Sequence, residues 1–565
     1  MKRKKKTRNF ITNVMPNVYM GRSKFDLSYS HKTTMNVGQL CPVYIQEIYP
    51  GDTLSNDTTF VLRTLTPFIR PVMDSLFLDV YFFFVPNRLA YSRWNEVMGE
   101  NVDGYWTQQD LGGLEVPKVR LPLASSDDGP AVGIGTVANY FGINIGNGLP
   151  VGSTETAADI SDIPFRSFAL IYNEWFRNQN FEAPVYVNTG DYSTVQRLNN
   201  NDWSVSNFHG KVPYVNKLAD YFTSCLPEPQ KGDAVDIPIG DAPVVTDSTL
   251  NNYSLNDGAI KFANTSGGQV NGFLGVTGYD LGFGQGESLT SPLNMNYGVN
   301  PTNLVSLNSL SVGNINDLRF AFQLQKMLER DARGGTRLRE INLAHFGVMS
   351  PDARMQVPEF LGGKRIPLDF QEVAQTSQST ESSPLAQLSA YSVTLNHSGF
   401  SKGFVEHGFV IGVACVRQRH TYQQGIERFW RRFSRYDFYD PVFANIGEQP
   451  VYRHEIYAEA LTEQQAEIPF GYNEAWADLR YRPARITGAI NSTSGEGFDI
   501  WHFGDYYENT PVLNSQWIKE TGAYVDRTLS ASSDTIPNFI VDFYHKARCA
   551  RVMPLYSIPG LVDHH

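Results

Sequence analysis

The sequence predicts an all-β protein in which long insertions separate the strands. Three features of its 565 residues indicate this class: aromatic side chains make up 13 %, charged side chains only 19 %, and glycine and proline number 47 and 31. Aromatic residues favour strands, and glycine and proline favour the turns between them. With 41 % apolar residues the chain can bury a large core, either in several domains or in one domain with large insertions.

Six segments have the pattern expected of β-strands. The clearest is DSLFLDVYFFFVP at 74–86, where alternate residues are apolar on both faces, so we expect both faces to be covered. Asp79 interrupts this pattern and needs a partner if it is buried. The other five segments lie far apart in the sequence, at 42–49, 59–65, 386–395, 408–416 and 538–545.

Two segments have helical periodicity. The first, 163–180, follows a potential N-cap at Asp162 and has Pro164 in its first turn. The second, 316–335, ends at a Gly-Gly pair and carries apolar residues on opposite sides, so we expect other parts of the protein to surround it almost completely. Both apolar stripes indicate core packing rather than a cofactor site.

Residues 245–314 differ in composition from the rest of the chain. Thirty-six of these seventy residues are Asn, Gly, Ser or Thr, and only five are charged. The segment still contains aromatic residues such as Phe273 and Tyr279, which unstructured linkers usually lack. We therefore expect an ordered, polar insertion at the surface, either a decorative module or a recognition surface.

The sequence singles out no catalytic residue, metal site or cofactor site, so we do not expect an enzyme. The four cysteines lie more than a hundred residues apart and form no C-x-x-C pair, which predicts ordinary buried thiols. No signal peptide is predicted, because Asn9, Asn13, Pro16 and Asn17 interrupt the stretch that follows the basic residues. No membrane-spanning segment is predicted either, because the most apolar run has ten residues and contains Asp79. A soluble protein made in a cytoplasm is the resulting expectation.

The first residues carry a concentrated positive charge. The basic residues of this arm are Lys2, Arg3, Lys4, Lys5, Lys6 and Arg8. The whole chain has a formal charge of -11, so the remainder without these six charges stands at -17. The arm is either a solvated tail or an electrostatic contact to nucleic acid, whose phosphates bind Lys and Arg with release of counterions.

Two further stretches combine basic and aromatic residues. In 416–440, VRQRHTYQQGIERFWRRFSRYDFYD, we favour a protein–protein interface over nucleic acid, because Glu427, Asp437 and Asp440 can pair with the arginines. In 543–556 the two interpretations are equally open. The basic residues of that second stretch are His545, Lys546, Arg548 and Arg551.

Several long phrases resemble the major capsid protein of the Microviridae, which are small icosahedral phages with circular single-stranded DNA. They are RNFITNVMPNVYMGRSKFDLS, IYNEWFRNQN, LADYFTSCLPEPQKG, LRFAFQLQKMLERDARGGTRLREINLAHFGV and FGYNEAWADLRYRPARITG. These phrases run from the N-terminal region to near residue 488, interrupted mainly by the polar insertion. The presence of that insertion resembles the gokushovirus branch in particular.

The resemblance implies an eight-stranded antiparallel jelly roll of the viral capsid type, with long inter-strand insertions that contain a few helices. It also implies sixty copies in a T=1 shell, with pentamers and three-fold contacts, assembled in the cytoplasm of a bacterial host. The implied partners are the single-stranded DNA genome, a small basic packaging protein, scaffolding and minor virion proteins, and a host receptor that could be a glycan. On this view the arm, Lys546, Arg548 and Arg551 contact DNA.

The expected organisation has four parts. Residues 1–35 form the basic arm and an extended segment, and 36–244 form the first part of the jelly roll. Residues 245–314 form a protrusion at the three-fold axis that meets the host, and 315–565 complete the jelly roll and carry the basic C-terminal segment. The alternative is a secreted jelly-roll protein that binds or cleaves glycans, which suits the Asn, Gly and aromatic content but requires an export signal.

Overall fold

The computed structural model describes residues 21–101, 114–121, 132–143, 159–235, 315–368, 397–459 and 461–556 in full, together with backbone strands between 244 and 305 and between 372 and 396. The basic residues of the arm and the side chains of the polar insertion lie outside this description. The chain divides into two compact units, one formed by Met1–Pro229 with Ala332–His565 and the other by Gln230–Asp331.

Nine antiparallel strands form the centre of the larger unit. They are β1 (Ser23–Asp26), β2 (Tyr29–Met35), β3 (Cys41–Ile48), β4 (Thr53–Thr64), β5 (Leu76–Pro86), β6 (Glu359–Leu368), β7 (Thr394–Gly403), β8 (Gly408–Gln418) and β9 (Phe539–Arg551). Strands β4 and β9 alternate between buried and more exposed residues, as expected for a sheet with one face in a core. Strand β5 is buried on both faces for most of its length, as its sequence predicts.

The strands form two sheets that enclose the main hydrophobic core. Sheet 1 has the order β2–β9–β4–β7, with β1 also paired to β9, and sheet 2 has the order β6–β5–β8–β3. Rings from the two sheets meet between them: Tyr44 lies 4.8 Å from His545, and Phe82 lies 5.2 Å from Phe400, measured between ring centroids. Without the short strand β1, this is an eight-stranded jelly roll, so the predicted fold class is confirmed.

Two long insertions begin at sheet 2. Residues 87–358 join β5 to β6, and residues 419–538 join β8 to β9. The longer helices lie in the first insertion: α1 (Ile163–Ile171), which continues as a π-helix over Tyr172–Phe176, α2 (Ile315–Gly334) and α3 (Leu338–Phe346). Helix α1 packs against β5 and β8, so it covers part of sheet 2 on the side away from sheet 1.

The remaining elements are short. Single-turn α-helices span Asn87–Ala90, Trp94–Val97, Val137–Tyr140, Asp352–Met355, Arg453–Ile456, Glu463–Ala466, Ala477–Arg480 and Ala523–Asp526. Turns of 3₁₀-helix span Arg428–Arg431, Arg435–Asp437, Pro441–Phe443, Gly488–Ile490, Ser492–Ser494 and Phe498–Trp501. Two-stranded ribbons pair Lys118–Arg120 with Asp159–Ser161, Glu448–Tyr452 with Pro469–Glu474, and Glu372–Ala374 with Leu388–Tyr391.

The smaller unit contains short antiparallel strands. These are Val244–Val245, Phe262–Ala263, Gln269–Val270, Phe273–Thr277, Asp280–Gln285, Ser288–Pro292, Asn300–Pro301 and Leu304–Val305. The longest three form one sheet in the order in which they occur along the chain. Backbone strands therefore occur within the segment whose composition predicts an ordered insertion, whereas the boundaries 245 and 314 remain predictions.

Both predicted helices are present at the expected positions. The predicted N-cap of the first helix and the predicted burial of the second are wrong. Asp162 precedes α1, but its side chain does not cap the helix; the carboxylate instead binds Arg166 and His209, and all three side chains are fully buried. Helix α2 ends at Gly334 as predicted, yet Phe320 and Phe322 are 70 % and 61 % exposed. The expectation that α2 is nearly surrounded is therefore wrong for the isolated chain, because periodicity shows which side chains are apolar and not which chain covers them.

Candidate functional site

A chain segment in the second insertion presents a row of apolar side chains to solvent. We call residues 427–446 the aromatic segment. Phe433 and Val442 are each 82 % exposed and Tyr436 is 75 % exposed. A contiguous group of large apolar side chains in water is typical of an interaction site rather than of a monomer's surface. The other exposed apolar residues of the segment are Phe429, Trp430, Phe438, Tyr439 and Ile446.

The aromatic segment is held to the protein body by its inward-facing residues. Arg432 pairs with Asp478 and lies over the Trp476 ring, and the Trp476 indole donates a hydrogen bond of 2.9 Å to the carbonyl of Phe443. Trp476 adopts a left-handed backbone conformation, with φ of +63°, which an indole side chain adopts at a cost in strain. These contacts fix the segment while the apolar side chains point outward, as in a preformed interaction surface.

The acidic residues of this stretch do not pair with the arginines in the way the sequence predicts. Asp437 and Asp440 accept hydrogen bonds from backbone amides at the starts of two 3₁₀ turns. Glu427 pairs with Arg485 and, at 3.6 Å, with Arg482, both of which lie in a different part of the insertion. The prediction of local pairing is wrong because short polar side chains at turns bond their own backbone more readily than distant cations.

The second basic stretch forms strand β9, and its cations separate onto two faces of sheet 1. Lys546 and Arg548 lie on the face of sheet 1 that points away from sheet 2, which we call the outer face. Both are exposed there, opposite Asp57 and Ser55 of β4 respectively. Arg551 instead binds the buried carboxylate of Asp52 at 2.7 Å. The structure thus gives Arg551 a structural ion pair, whereas Lys546 and Arg548 remain available to a ligand.

His545 is not a basic residue in the folded protein. Its side chain is buried between the sheets, where one ring nitrogen lies 2.8 Å from the hydroxyl of Thr58 and the other 3.0 Å from the carbonyl of Val43. Burial lowers the pKa of His545 to about 4, so the imidazole is neutral at pH 7. This residue therefore belongs to the core and adds no charge to the candidate nucleic-acid surface.

Three cations that the sequence analysis did not select share the outer face with Lys546 and Arg548. Strand register places Lys24 of β1, Lys32 of β2 and Arg63 of β4 on this side, because directly paired residues project to the same face. The alternation of polar and apolar residues in TLSNDTTFVLRT at 53–64 is the signal that could have assigned Arg63 to it.

Three further features of the chain concern chemistry rather than assembly. The pattern G-x-S-x-G occurs at 399–403, but these residues lie inside β7 rather than at the strand-to-helix turn that a nucleophilic serine requires. Among the described residues, no group of three or more His, Cys, Asp or Glu is placed to hold a metal ion. All four cysteines are free and buried, as predicted.

None of the helices in the described ranges combines the length and apolar character that crossing a membrane requires.

Comparison with known proteins gives matches over almost the whole chain. Residues 13–561 match the family described as capsid protein (F protein). Capsid protein VP1 of Spiroplasma virus 4 is 38 % identical over 551 residues, which cover 96 % of each chain. Capsid proteins VP1 of Bdellovibrio phage phiMH2K and Chlamydia phage 1 are each 36 % identical, over 97 % of this chain and 96 % and 97 % of their own.

These matches confirm the resemblance to capsid proteins of gokushovirus-type single-stranded DNA phages, and they argue against a secreted glycan enzyme. Together with the jelly roll and the exposed aromatic segment, they identify the chain as a structural component of the virion. The chain belongs to the capsid protein (F protein) family of phages.

Proposed function

We propose that this chain is the repeating unit of a T=1 shell of sixty copies that encloses circular single-stranded DNA. The observation that carries this proposal is the aromatic segment, a fixed surface of exposed aromatic and aliphatic side chains of the kind that protein–protein interfaces use. A second copy of the chain is the partner that a shell requires, and closed symmetry repeats each contact in every copy. Pentameric and three-fold contacts are the expected interfaces.

The DNA contacts in this proposal are the arm together with Lys546 and Arg548. Arg551, which the resemblance also implies as a DNA contact, is paired with the buried Asp52 carboxylate and is not part of this proposal. Sixty arms would bring about 360 positive charges, whereas a gene for this chain alone needs about 1,700 nucleotides, each with one phosphate. The arm therefore tethers DNA to the shell, and small cations or a separate basic packaging protein neutralise most of the genome.

The remaining parts of the proposal concern other partners. Residues 245–314 form a protrusion at the three-fold axis for attachment to a host receptor, which could be a glycan; scaffolding and minor virion proteins assist assembly. Exchange of this segment should leave particles intact and abolish adsorption to host cells. Unchanged adsorption would contradict this assignment and would leave the shell proposal in place.

Genome content tests the DNA part of the proposal. Particles from infected cells should be compared when the chain is intact, when residues 2–8 are deleted, and when Lys546 and Arg548 are both changed to Gln. We expect normal particle mass for the protein shell but less nuclease-protected DNA, or DNA less ordered at the inner wall, in both variants. Unchanged DNA content and order in both would contradict the proposed contacts.

A further inference from the structure

We propose that the whole outer face of sheet 1 is a platform for single-stranded DNA, with phosphates at its five cations and a base stacked on Tyr544. The charged residues of the outer face are Lys24, Asp26, Lys32, Asp57, Arg63, Asp542, Lys546 and Arg548. The inference rests on the proposed function, since it assumes that the shell encloses DNA, and it adds a site that the arm does not supply.

The outer face has more cations than carboxylates. Five cations and three carboxylates give it a net positive charge in a chain whose total is -11. One carboxylate, Asp542, already pairs with Lys32 at 3.3 Å. Hydrogen bonds from Ser28 lower the pKa of the second, Asp26, and Arg548 and Lys546 lower it further, so this carboxylate is ionised and counts in full. Two positive charges remain in excess, and a polyanion is attracted to them against the charge of the molecule as a whole.

An aromatic side chain, Tyr544, lies between these cations. Tyr544 lies near the middle of β9 on the outer face, with half of its side chain exposed. Its direct neighbours are the small side chains of Ser30 on β2 and Thr59 on β4, so the phenol ring is open from above. Lys546 and Asp542 project from the same strand on either side of it. Aromatic rings beside cations are the usual binding surface for single-stranded nucleic acid, because every base has a π-face.

In the described part of the chain, the side chains of the outer face are accessible. Helix α1 packs on sheet 2, at the opposite side of the sandwich, and β1, β2, β4 and β9 keep their outward side chains exposed or half-buried. Within the described residues, the largest group of outward cations on the jelly-roll strands is therefore accessible. Water solvates these cations in the isolated chain, and an anionic partner is the class of ligand that they attract.

The first described residues of the chain lie at the margin of the outer face. Arg22 donates hydrogen bonds to the hydroxyl of Thr53, at 2.6 Å, and to the carbonyl of Ala550, at 3.1 Å. Thr53 and Ala550 are paired residues at the margin of the outer face, next to Lys24. The described part of the chain therefore starts at the margin of this surface, and the basic arm precedes it in the sequence.

The test measures binding of the full-length chain to a labelled oligodeoxythymidine as a function of salt. The informative double variant is Lys24→Gln with Arg63→Gln, which leaves the arm, Lys546 and Arg548 intact. Its matched control is Arg354→Gln with Arg419→Gln, two exposed arginines outside the strands of sheet 1. Each lost phosphate contact should lower the salt slope by about 0.7, so we expect a decrease of about 1.4 in the first variant and none in the control.

A variant that gains affinity for the oligonucleotide gives a second test, because misfolding would not strengthen binding. Asp57 is exposed opposite Lys546, so Asp57→Asn should strengthen binding and increase the salt slope. The control is Asp534→Asn, an exposed carboxylate outside sheet 1, which should have no effect. Equal effects of the two substitutions would overturn the inference.

The aromatic contact has its own test. Tyr544→Ala should weaken oligonucleotide binding about tenfold. Tyr481→Ala removes a ring of almost equal exposure, 52 % against 50 %, from another part of the chain and should leave affinity unchanged.

The outcomes separate this inference from the proposed function. If deletion of residues 2–8 weakens binding while the Lys24 and Arg63 variant binds as the intact chain does, the outer face is not the platform and the proposed function stands. If the intact chain binds no oligonucleotide and its particles contain no DNA, the proposed function fails and this inference fails with it. Binding of an acidic protein in place of DNA would likewise overturn it.

Discussion

Asp79 is completely buried in β5, and two arginines of neighbouring strands neutralise it. Arg365 of β6 donates hydrogen bonds of 2.8 and 3.0 Å to its two oxygens, and Arg417 of β8 donates to one of them at 2.9 Å. The sequence predicts that Asp79 needs a partner, but these partners lie 286 and 338 residues away. Only the order of strands in sheet 2 brings them together, which a single sequence does not reveal.

Removal of this carboxylate should destabilise the chain strongly. Asp79→Asn leaves Arg417, whose side chain is 13 % exposed, without its counter-charge, and we expect a loss of about 3–5 kcal/mol in the free energy of unfolding. Urea unfolding of dissociated subunits measures it. Asp542→Asn is the matched control, because its pair with Lys32 is exposed and should contribute less than ~1 kcal/mol. Equal losses in the two variants would contradict this explanation.

His420 connects the end of β8 to the second insertion and should make stability depend on pH. Its two ring nitrogens lie 2.7 Å from Asp505 and 2.8 Å from Glu520. Burial alone would lower the pKa of His420, but the two carboxylates raise it to about 9, so the imidazole is charged and donates both hydrogen bonds at pH 7. A raised pKa contributes stability that is complete below about pH 6.5 and lost as pH rises through about 9.

We expect the free energy of unfolding to fall between about pH 6.5 and about pH 9 in the intact chain, and His420→Gln to remove most of this decrease. His545 acts in the acid range instead, because its depressed pKa makes stability fall as pH decreases from about 6.5 towards 4. Denaturant unfolding at a series of pH values measures both. An unchanged alkaline slope in the His420 variant would show that other groups cause it.

At the scale of elements, the aromatic segment should determine assembly rather than folding. Phe433→Ala removes a ring that is 82 % exposed, so the unfolding midpoint should stay almost unchanged while the yield of closed particles falls at least tenfold. Val442→Ala and Val405→Ala form a matched pair, 82 % and 85 % exposed, of which only Val442 belongs to the segment. Sedimentation of cell extracts should show lower particle yield for Val442→Ala alone; equal yields would contradict the assignment.

Alternation of apolar residues predicts five of the six strand segments, since β3, β4, β5, β8 and β9 overlap 42–49, 59–65, 74–86, 408–416 and 538–545. The sixth, 386–395, covers a ribbon strand, Leu388–Tyr391, and only the first residues of β7. Strands β1 and β2 are too polar to be predicted. Strand β6 escapes prediction because EFLGGKRIPL resembles a turn-rich segment, yet Pro367 is tolerated on an edge strand, where one side of the backbone lacks a pairing partner. Gly363 fits because a Cβ there would lie 2.3 Å from the Tyr81 ring.

The candidate surfaces were predictable only in part. The composition of 416–440 indicates an interface, but which of its residues anchor the segment and which face outward depends on Trp476, far along the chain. Likewise, the basic pattern of β9 indicates nucleic acid, while the separation of Arg551 from Lys546 and Arg548 follows from which sheet face each residue occupies. Register across β1, β2 and β4 is needed to see the outer face as one surface.

For the whole molecule, the central claim is that exposed apolar surface and positive charge on an otherwise acidic chain serve a closed shell around DNA. Helix α2 supports this reasoning in the smaller unit, since Phe320 and Phe322 are exposed in the isolated chain and need a cover. Neighbouring copies in the shell would supply it. On this proposal, other copies of the chain cover its exposed apolar surfaces and DNA neutralises its exposed cations in the particle.

The most direct test is the mass of particles purified from the natural host, measured by sedimentation, with nuclease treatment before and after disruption. Sixty chains of 63.4 kDa predict a protein shell of about 3.8 MDa. We expect a particle somewhat heavier than this, with single-stranded DNA that nuclease digests only after disruption. A monomer or small oligomer without nucleic acid, or a shell mass that does not correspond to sixty copies, would contradict the account.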